Sequence, residues 1–117
     1  MYGNHFKFAE LIHTDTGLDN TPTSDSHLGN LAALWNALNF IREELGKPIF
    51  VNSAYRTTQV NKQVGGAKRS LHMQGRAADI RCSSEYMDKL WTIIEQYDKE
   101  YGLSEKIKYP TFYHIAL

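Results

Sequence analysis

The stretch Ser70-Leu71-His72-Met73-Gln74-Gly75-Arg76-Ala77-Ala78-Asp79-Ile80 sets a histidine and an aspartate seven residues apart, among small residues that let the backbone approach closely. Imidazole nitrogen and carboxylate oxygen are both ordinary ligands of Zn²⁺, and a catalytic zinc site typically takes three protein ligands plus an open position. The pair is therefore half of a candidate metal site. Spacing alone recurs by chance, so a metal-free reading stays open on these two residues. Residues 77–82 read as a strand, whose alternation puts Asp79 and Arg81 on one face and Ile80 and Cys82 on the other. Gly75 makes a turn cheap, and the chain must turn there for His72 to converge on Asp79. His114, in the run Phe112-Tyr113-His114-Ile115-Ala116-Leu117, is the best third ligand, because an imidazole among aromatic and aliphatic residues needs a partner. A backbone carbonyl is the competing partner. If the strand of His114 lies beside that of Asp79, the three side chains meet above one face of a sheet.

Around this segment the pattern is mixed α and β. Residues 14–27, rich in Asp, Asn, Thr, Ser, Gly and Pro, read as a loop after a short helix near residues 8–12. From Leu28 the apolar positions Leu31, Leu34, Trp35, Leu38, Ile41 and Leu45 follow helical spacing, with Gly46 and Pro48 as the stop. Residues 48–52 read as a short buried strand, and residues 57–63 as a short helix capped by Thr57 or Thr58 and broken at Gly65-Gly66. Ser83 or Ser84 caps a second long helix with the stripe Met87, Leu90, Trp91, Ile94 and Tyr101. Residues 106–109 and 112–117 fit a hairpin or two neighbouring strands around Pro110-Thr111, which puts His114 on a strand.

At 117 residues the expectation is a single domain, 1–117, large enough to bury its own core. The 13 Lys plus Arg balance the 13 Asp plus Glu, so no field draws the chain onto nucleic acid or an anionic membrane. Cys82 has no second cysteine to pair with and reads as a small buried apolar residue. No apolar run approaches a membrane span, and Met1-Tyr2-Gly3-Asn4-His5 lacks the basic start and apolar stretch of a signal peptide, so no export address is visible. His5, His13 and His27 lie in polar segments and are expected to be solvated.

Three further pieces, read with the opening stretch, resemble the zinc D-alanyl-D-alanine carboxypeptidase-like peptidases of bacterial cell walls and their phages. Asn52-Ser53-Ala54-Tyr55-Arg56-Thr57 resembles the family's strand and arginine turn, and Asn61 through Gly65-Gly66-Ala67 its asparagine and glycine segment. Residues 70–80 match its SxHxxGxAxDI signature, and His114 matches its terminal histidine. The similarity spans about residues 6–116. It implies a small α+β domain with an antiparallel sheet packed by two main helices, the fold shared with Hedgehog signalling domains. It also implies one Zn²⁺ bound by His72, Asp79 and His114. Arg56 would face a peptide carboxylate or the carbonyl oxygen as charge develops on it, and Ser70 would bind the substrate's terminal carboxylate or orient its loop.

The implied activity is hydrolysis of peptidoglycan peptides. Many members of the family carry a Glu or Asp as proton shuttle three residues before the terminal histidine, and here that position is Thr111. Threonine is no base at neutral pH, which leaves Glu105 and Glu85 as substitutes whose default is solvated surface. A non-catalytic zinc-containing domain that binds a wall peptide or a protein is the alternative. A metal-free structural protein is a third, weaker one.

Overall fold

The computed structural model describes residues 4–117; residues 1–3, part of the stretch read for a signal peptide, lie outside the described residues. The elements run α1 (Phe8–Leu11), α2 (Asp25–Leu45), β1 (Phe50–Ser53), α3 (Thr58–Gln63), β2 (Ala77–Arg81), α4 (Met87–Tyr101), β3 (Glu105–Lys108) and β4 (Tyr113–Ala116). Short 3₁₀ turns occupy Leu71–Gln74 and Ser84–Tyr86. The four strands form one antiparallel sheet in the order β1-β2-β4-β3. This is an α+β fold with an antiparallel sheet packed by two main helices, as expected.

Caps and apolar spacing agree in α2, whereas α4 begins at Met87 after a 3₁₀ turn with no side-chain cap, neither Ser83 nor Ser84 serving as one. The Ser24 side chain accepts from the His27 amide at the start of α2, and Gly46, at φ 70°, closes its end with an N–H bond to the Arg42 carbonyl. The loop read over residues 14–27 is therefore shorter by its last three residues, because the Ser24 cap lies upstream of the first apolar position. Leu31, Leu34, Leu38, Ile41 and Leu45 are all buried, while Trp35 sits at the stripe's edge and donates its Nε1–H to the Phe6 carbonyl at 2.8 Å. From α4 the core takes Leu90, Ile93 and Ile94; Tyr101, read into that stripe, is instead 54% exposed at the helix end. Thr57 caps α3, accepting from the Val60 amide.

Alternation along the sheet decides what faces these helices. Ala78 and Ile80 on β2, with Tyr113 and Ile115 on β4, join the core cluster. Asp79 and His114 then fall on the opposite face. β1 departs from its reading as a buried strand: it is an edge strand, and Phe50 is 47% exposed. Apolar residues cover it on the helix side through Val51, while Phe50 lies under the Arg81 guanidinium, 4.9 Å from the ring centre, on the other side. The β1–β2 register shifts between Val51 and Ser53, so Asn52 is the extra residue of a bulge. Cys82 is buried and free, with its thiol against the Met87 sulfur. No helix among the described residues is long and apolar enough to cross a membrane.

Gly75 is required by the turn before β2. Gly75 ends the 3₁₀ turn at φ 74°, and a Cβ there would stand 2.9 Å from the His27 backbone oxygen and 3.0 Å from Leu31 Cγ. Gly75→Ala combines left-handed strain with a collision against backbone that cannot swing away. It should lower stability by about 1–3 kcal/mol, read as a reduced denaturant midpoint with unchanged slope.

Candidate metal centre

Three segments converge on the open face of the sheet. β2 and β4 pair in a register that sets Asp79 directly across from His114. The third segment is the 3₁₀ turn before β2. Ser70 Oγ accepts from the His72 amide at 3.2 Å and so caps this turn, while Asn30 Nδ2 donates to the Gln74 carbonyl and ties it to α2. The turn is also stitched to the segment after β1, because the Arg56 amide donates to the His72 carbonyl at 3.0 Å.

His72, Asp79 and His114 each place one donor atom within 4.8 Å of the others, and they form the one such group among the described residues. The His72 ring is 3% exposed as a residue, with Nδ1 bonded to the Ala54 carbonyl at 2.6 Å. A carbonyl only accepts, so Nδ1 carries a proton, and Nε2, which faces Asp79, is the nitrogen a metal would take in place of any proton there. Nε2 lies 3.4 Å from Asp79 Oδ1. His114 uses its other nitrogen: Nδ1 lies 2.8 Å from the same Oδ1, and Nε2 lies 2.8 Å from Glu105 Oε1. Ligand atoms around a tetrahedral zinc, at bonds of about 2.0–2.1 Å, stand roughly 3.3 Å apart. The His72–Asp79 separation already meets that spacing, and the His114–Asp79 one falls short by the difference between a shared proton and a shared cation. Two nitrogens and one oxygen, each oriented by a further hydrogen bond or ion pair, fit Zn²⁺.

Arg56 stands beside this group. Its Nη2 is 3.7 Å from Asp79 Oδ2, its Nε donates to Ser53 Oγ at 3.1 Å, and its Nη1 donates to Asn61 Oδ1 at 3.3 Å. Two buried asparagines hold this turn. Asn20 donates to the Tyr55 carbonyl and accepts from the Thr57 amide, gripping the chain on both sides of Arg56. Asn61 donates to the Ala67 carbonyl, and Gly66 leaves it room, since a Cβ there would lie 2.0 Å from Asn61 Oδ1. The reading of residues 14–27 as a polar loop concealed Asn20; its signal was the loop's length, which had to be tied down somewhere.

His5 and His13 meet surface carboxylates, Glu43 at 2.7 Å and Asp15 at 2.9 Å, while the His27 ring packs near Tyr55; none joins the metal group. Thr111 is exposed in the β3–β4 turn, which the Tyr109 amide closes onto the Phe112 carbonyl. Glu85 is exposed after β2, whereas Glu105, read by default as solvated, is bonded to the His114 ring.

Burial alone would raise the Asp79 carboxyl, but hydrogen bonds from His114 and His72 and their positive charge outweigh it and hold its pKa down to about 2. Burial likewise disfavours a charged His114, yet its bonds to Asp79 and Glu105 and their negative charges win and raise its pKa. In the metal-free protein the Asp79 contribution, about 2 kcal/mol for the shift from 3.8, is present above pH ~4 and lost as pH falls toward 2. The His114 contribution has the opposite sense: it is full below pH ~6.5 and lost as pH rises through the raised value. The stability difference between wild type and Asp79→Asn should therefore peak between about pH 4 and 6.5 in chelator-treated protein, measured by denaturant titration. A metal held by these donors would have to displace the His114 proton, so binding should release protons and weaken as pH falls below the raised His114 value, readable by calorimetry in buffers of different ionisation enthalpy.

The comparisons with known proteins point the same way as this geometry. Over 84 residues the chain is 34% identical to the zinc D-Ala-D-Ala carboxypeptidase of Streptomyces albus G, a match covering 69% of this chain and 32% of that protein. The match thus spans about a third of that relative's length. The family model for Peptidase M15 matches residues 4–116, taking in the arginine turn, both histidines and Asp79. Since that match runs through nearly every described residue, the chain belongs to the M15 peptidase family.

Proposed function

We propose that this chain is a zinc-dependent peptidase that hydrolyses peptide bonds of bacterial peptidoglycan, of the D-Ala-D-Ala carboxypeptidase or stem-peptide endopeptidase type. The observation that carries the reading is the meeting of His72, Asp79 and His114 with the Arg56 guanidinium against the same carboxylate. His72, Asp79 and His114 would hold the zinc, which when bound would supply a Lewis acid for the scissile carbonyl and lower the pKa of a bound water toward neutrality. Hydrolysis adds the water oxygen to the carbonyl carbon, breaks the C–N bond and leaves a carboxylate and an amine.

Arg56 is built to serve that change. Its bonds to Ser53 and Asn61 fix the plane of the guanidinium and still leave N–H groups on Nη1 and Nη2 for a carbonyl oxygen gaining negative charge, or for a peptide carboxylate. Ser70 accepts from the His72 amide through its oxygen and keeps its own O–H to donate to a substrate carboxylate. A cleft of about 460 Å³ opens beside Arg56 and Ser53, bordered by Thr14, Thr16, Asn52 and Gln63, whose polar side chains suit a peptide backbone. The site of action in this reading is the cell wall.

A second reading has one observation in its favour. Thr111 stands exposed in the β3–β4 turn, at the sequence position where the resemblance to the family leads one to expect a proton-shuttling carboxylate, and a non-catalytic zinc-containing module that binds wall peptides or a protein needs no such group. Purified peptidoglycan fragments separate the two. The peptidase reading expects new amines or free D-Ala, lost on chelation and in His72→Ala and Asp79→Ala, both of which should also lose zinc. Zinc-loaded protein that binds fragments and releases nothing would leave the binding module. Arg56→Ala should retain zinc and lose roughly 100- to 1,000-fold in turnover, checked by metal content beside amine release.

A further inference from the structure

We infer that Glu105 is a positioning residue for the metal centre: it fixes the proton of His114 on Nε2, presents Nδ1 to the metal and strengthens that nitrogen as a ligand. The inference rests on the zinc reading above and concerns a residue nine positions before the ligand it serves. The hairpin explains how so distant a residue reaches it. Ile107 lies across from His114 and Glu105 across from Ala116, so Glu105 is the diagonal neighbour of His114 on the same face. Its β3 neighbours Lys106 and Lys108 turn the other way, toward Asp98 on α4 and over the Trp91 ring. Ala116, small and buried opposite Glu105, leaves space for the carboxylate to lean along the strand onto the ring, where Oε1 meets Nε2 at 2.8 Å.

The same geometry removes Glu105 from the role of proton shuttle. The two ring nitrogens point to opposite sides of the imidazole, and the Asp79 oxygen that marks the metal position is on the Nδ1 side. A carboxylate fastened to Nε2 therefore sits behind the ligand, facing away from the position where water and substrate react. What it does there is orient and polarise. A ring N–H donated to a carboxylate makes the opposite nitrogen a better electron donor than one donated to a neutral carbonyl. His72 has the neutral arrangement, through Ala54, and His114 the charged one. The centre thus has one ordinary imidazole ligand and one reinforced ligand, and the reinforcement is supplied by a side chain 43% exposed to solvent.

The test uses the full chain, wild type against Glu105→Ala and the near-isosteric Glu105→Gln, with zinc affinity read by chelator competition and geometry by the visible spectrum of the Co²⁺ form. Glu105→Ala should lose roughly 10- to 100-fold in zinc affinity and shift the Co²⁺ bands. Glu105→Gln keeps an acceptor on Nε2 without the charge, so it should recover the spectrum and only part of the affinity. Wild-type affinity and spectrum in a folded Glu105→Ala would overturn the inference. Should that variant fail to fold, Glu105→Gln decides alone, and undiminished affinity there overturns the charge-based role. Zinc affinity is read apart from turnover: wild type that binds zinc and cleaves nothing sinks the peptidase reading and leaves Glu105 in place.

Discussion

The site depends on one strand register. Asp79 and His114 are cross-strand partners, so the closeness of their side chains is a property of the β2–β4 ladder rather than of either residue. Because side chains alternate along a strand, a slip of one residue would send the imidazole into the core and Tyr113 onto the open face. Tyr113 and Ile115 guard against this. Both are buried with the helix-facing cluster, and the Tyr113 hydroxyl donates to the Met87 carbonyl, so the apolar face that stabilises the fold also holds the polar face in line.

Everything else at the centre is arranged around the carboxylate this register fixes. Asp79 is approached by two imidazoles and a guanidinium, each with a second partner of its own: Ala54 for His72, Glu105 for His114, Ser53 and Asn61 for Arg56. A buried carboxylate left alone would take up a proton; here the surrounding donors keep it ionised. The cationic partners make the metal-free site self-consistent, with no buried side-chain polar atom left unpartnered among the described residues. The structural cost of preparing such a site is met by peptide groups and asparagines on loops, which hold the donors at their places before any ion arrives.

How much of this the chain discloses in advance depends on how local each interaction is. His72, Gly75 and Asp79 were legible because turn and strand lie within one short segment, where spacing and the need for a positive φ carry geometric meaning. His114 is legible as a candidate, but its place beside Asp79 is not, since strand pairing over 35 residues leaves no periodic trace. Asn20 is harder still, and Asn61 and Glu105, though resemblance singles out the first and the missing base the second, carry no sign of what they bond. A polar residue in a polar stretch looks solvated, and only the folded chain shows that Asn20 and Asn61 are buried and that Glu105 leans on a ring. The same limit bears on β1: the apolar run at Ile49, Phe50 and Val51 reads as interior throughout, and Ile49 is buried with Val51 packed on the core, but strand order puts β1 at an edge and leaves Phe50 exposed.

The two ligand histidines offer different nitrogens, and this has a steric meaning. Nδ1 is one bond from the ring carbon that bears Cβ, while Nε2 is at the ring's far side, so around an ion held by both rings the backbone of His114 would stand closer than that of His72. Strand β4 is hydrogen-bonded directly to the strand of Asp79, whereas His72 comes from the 3₁₀ turn that precedes that strand. The amide side chains that imitate these donors differ accordingly. Asparagine matches the reach of Nδ1 and glutamine that of Nε2, so a single replacement rule does not serve both positions. Histidine at 72 and histidine at 114 are the same residue used as two different tools.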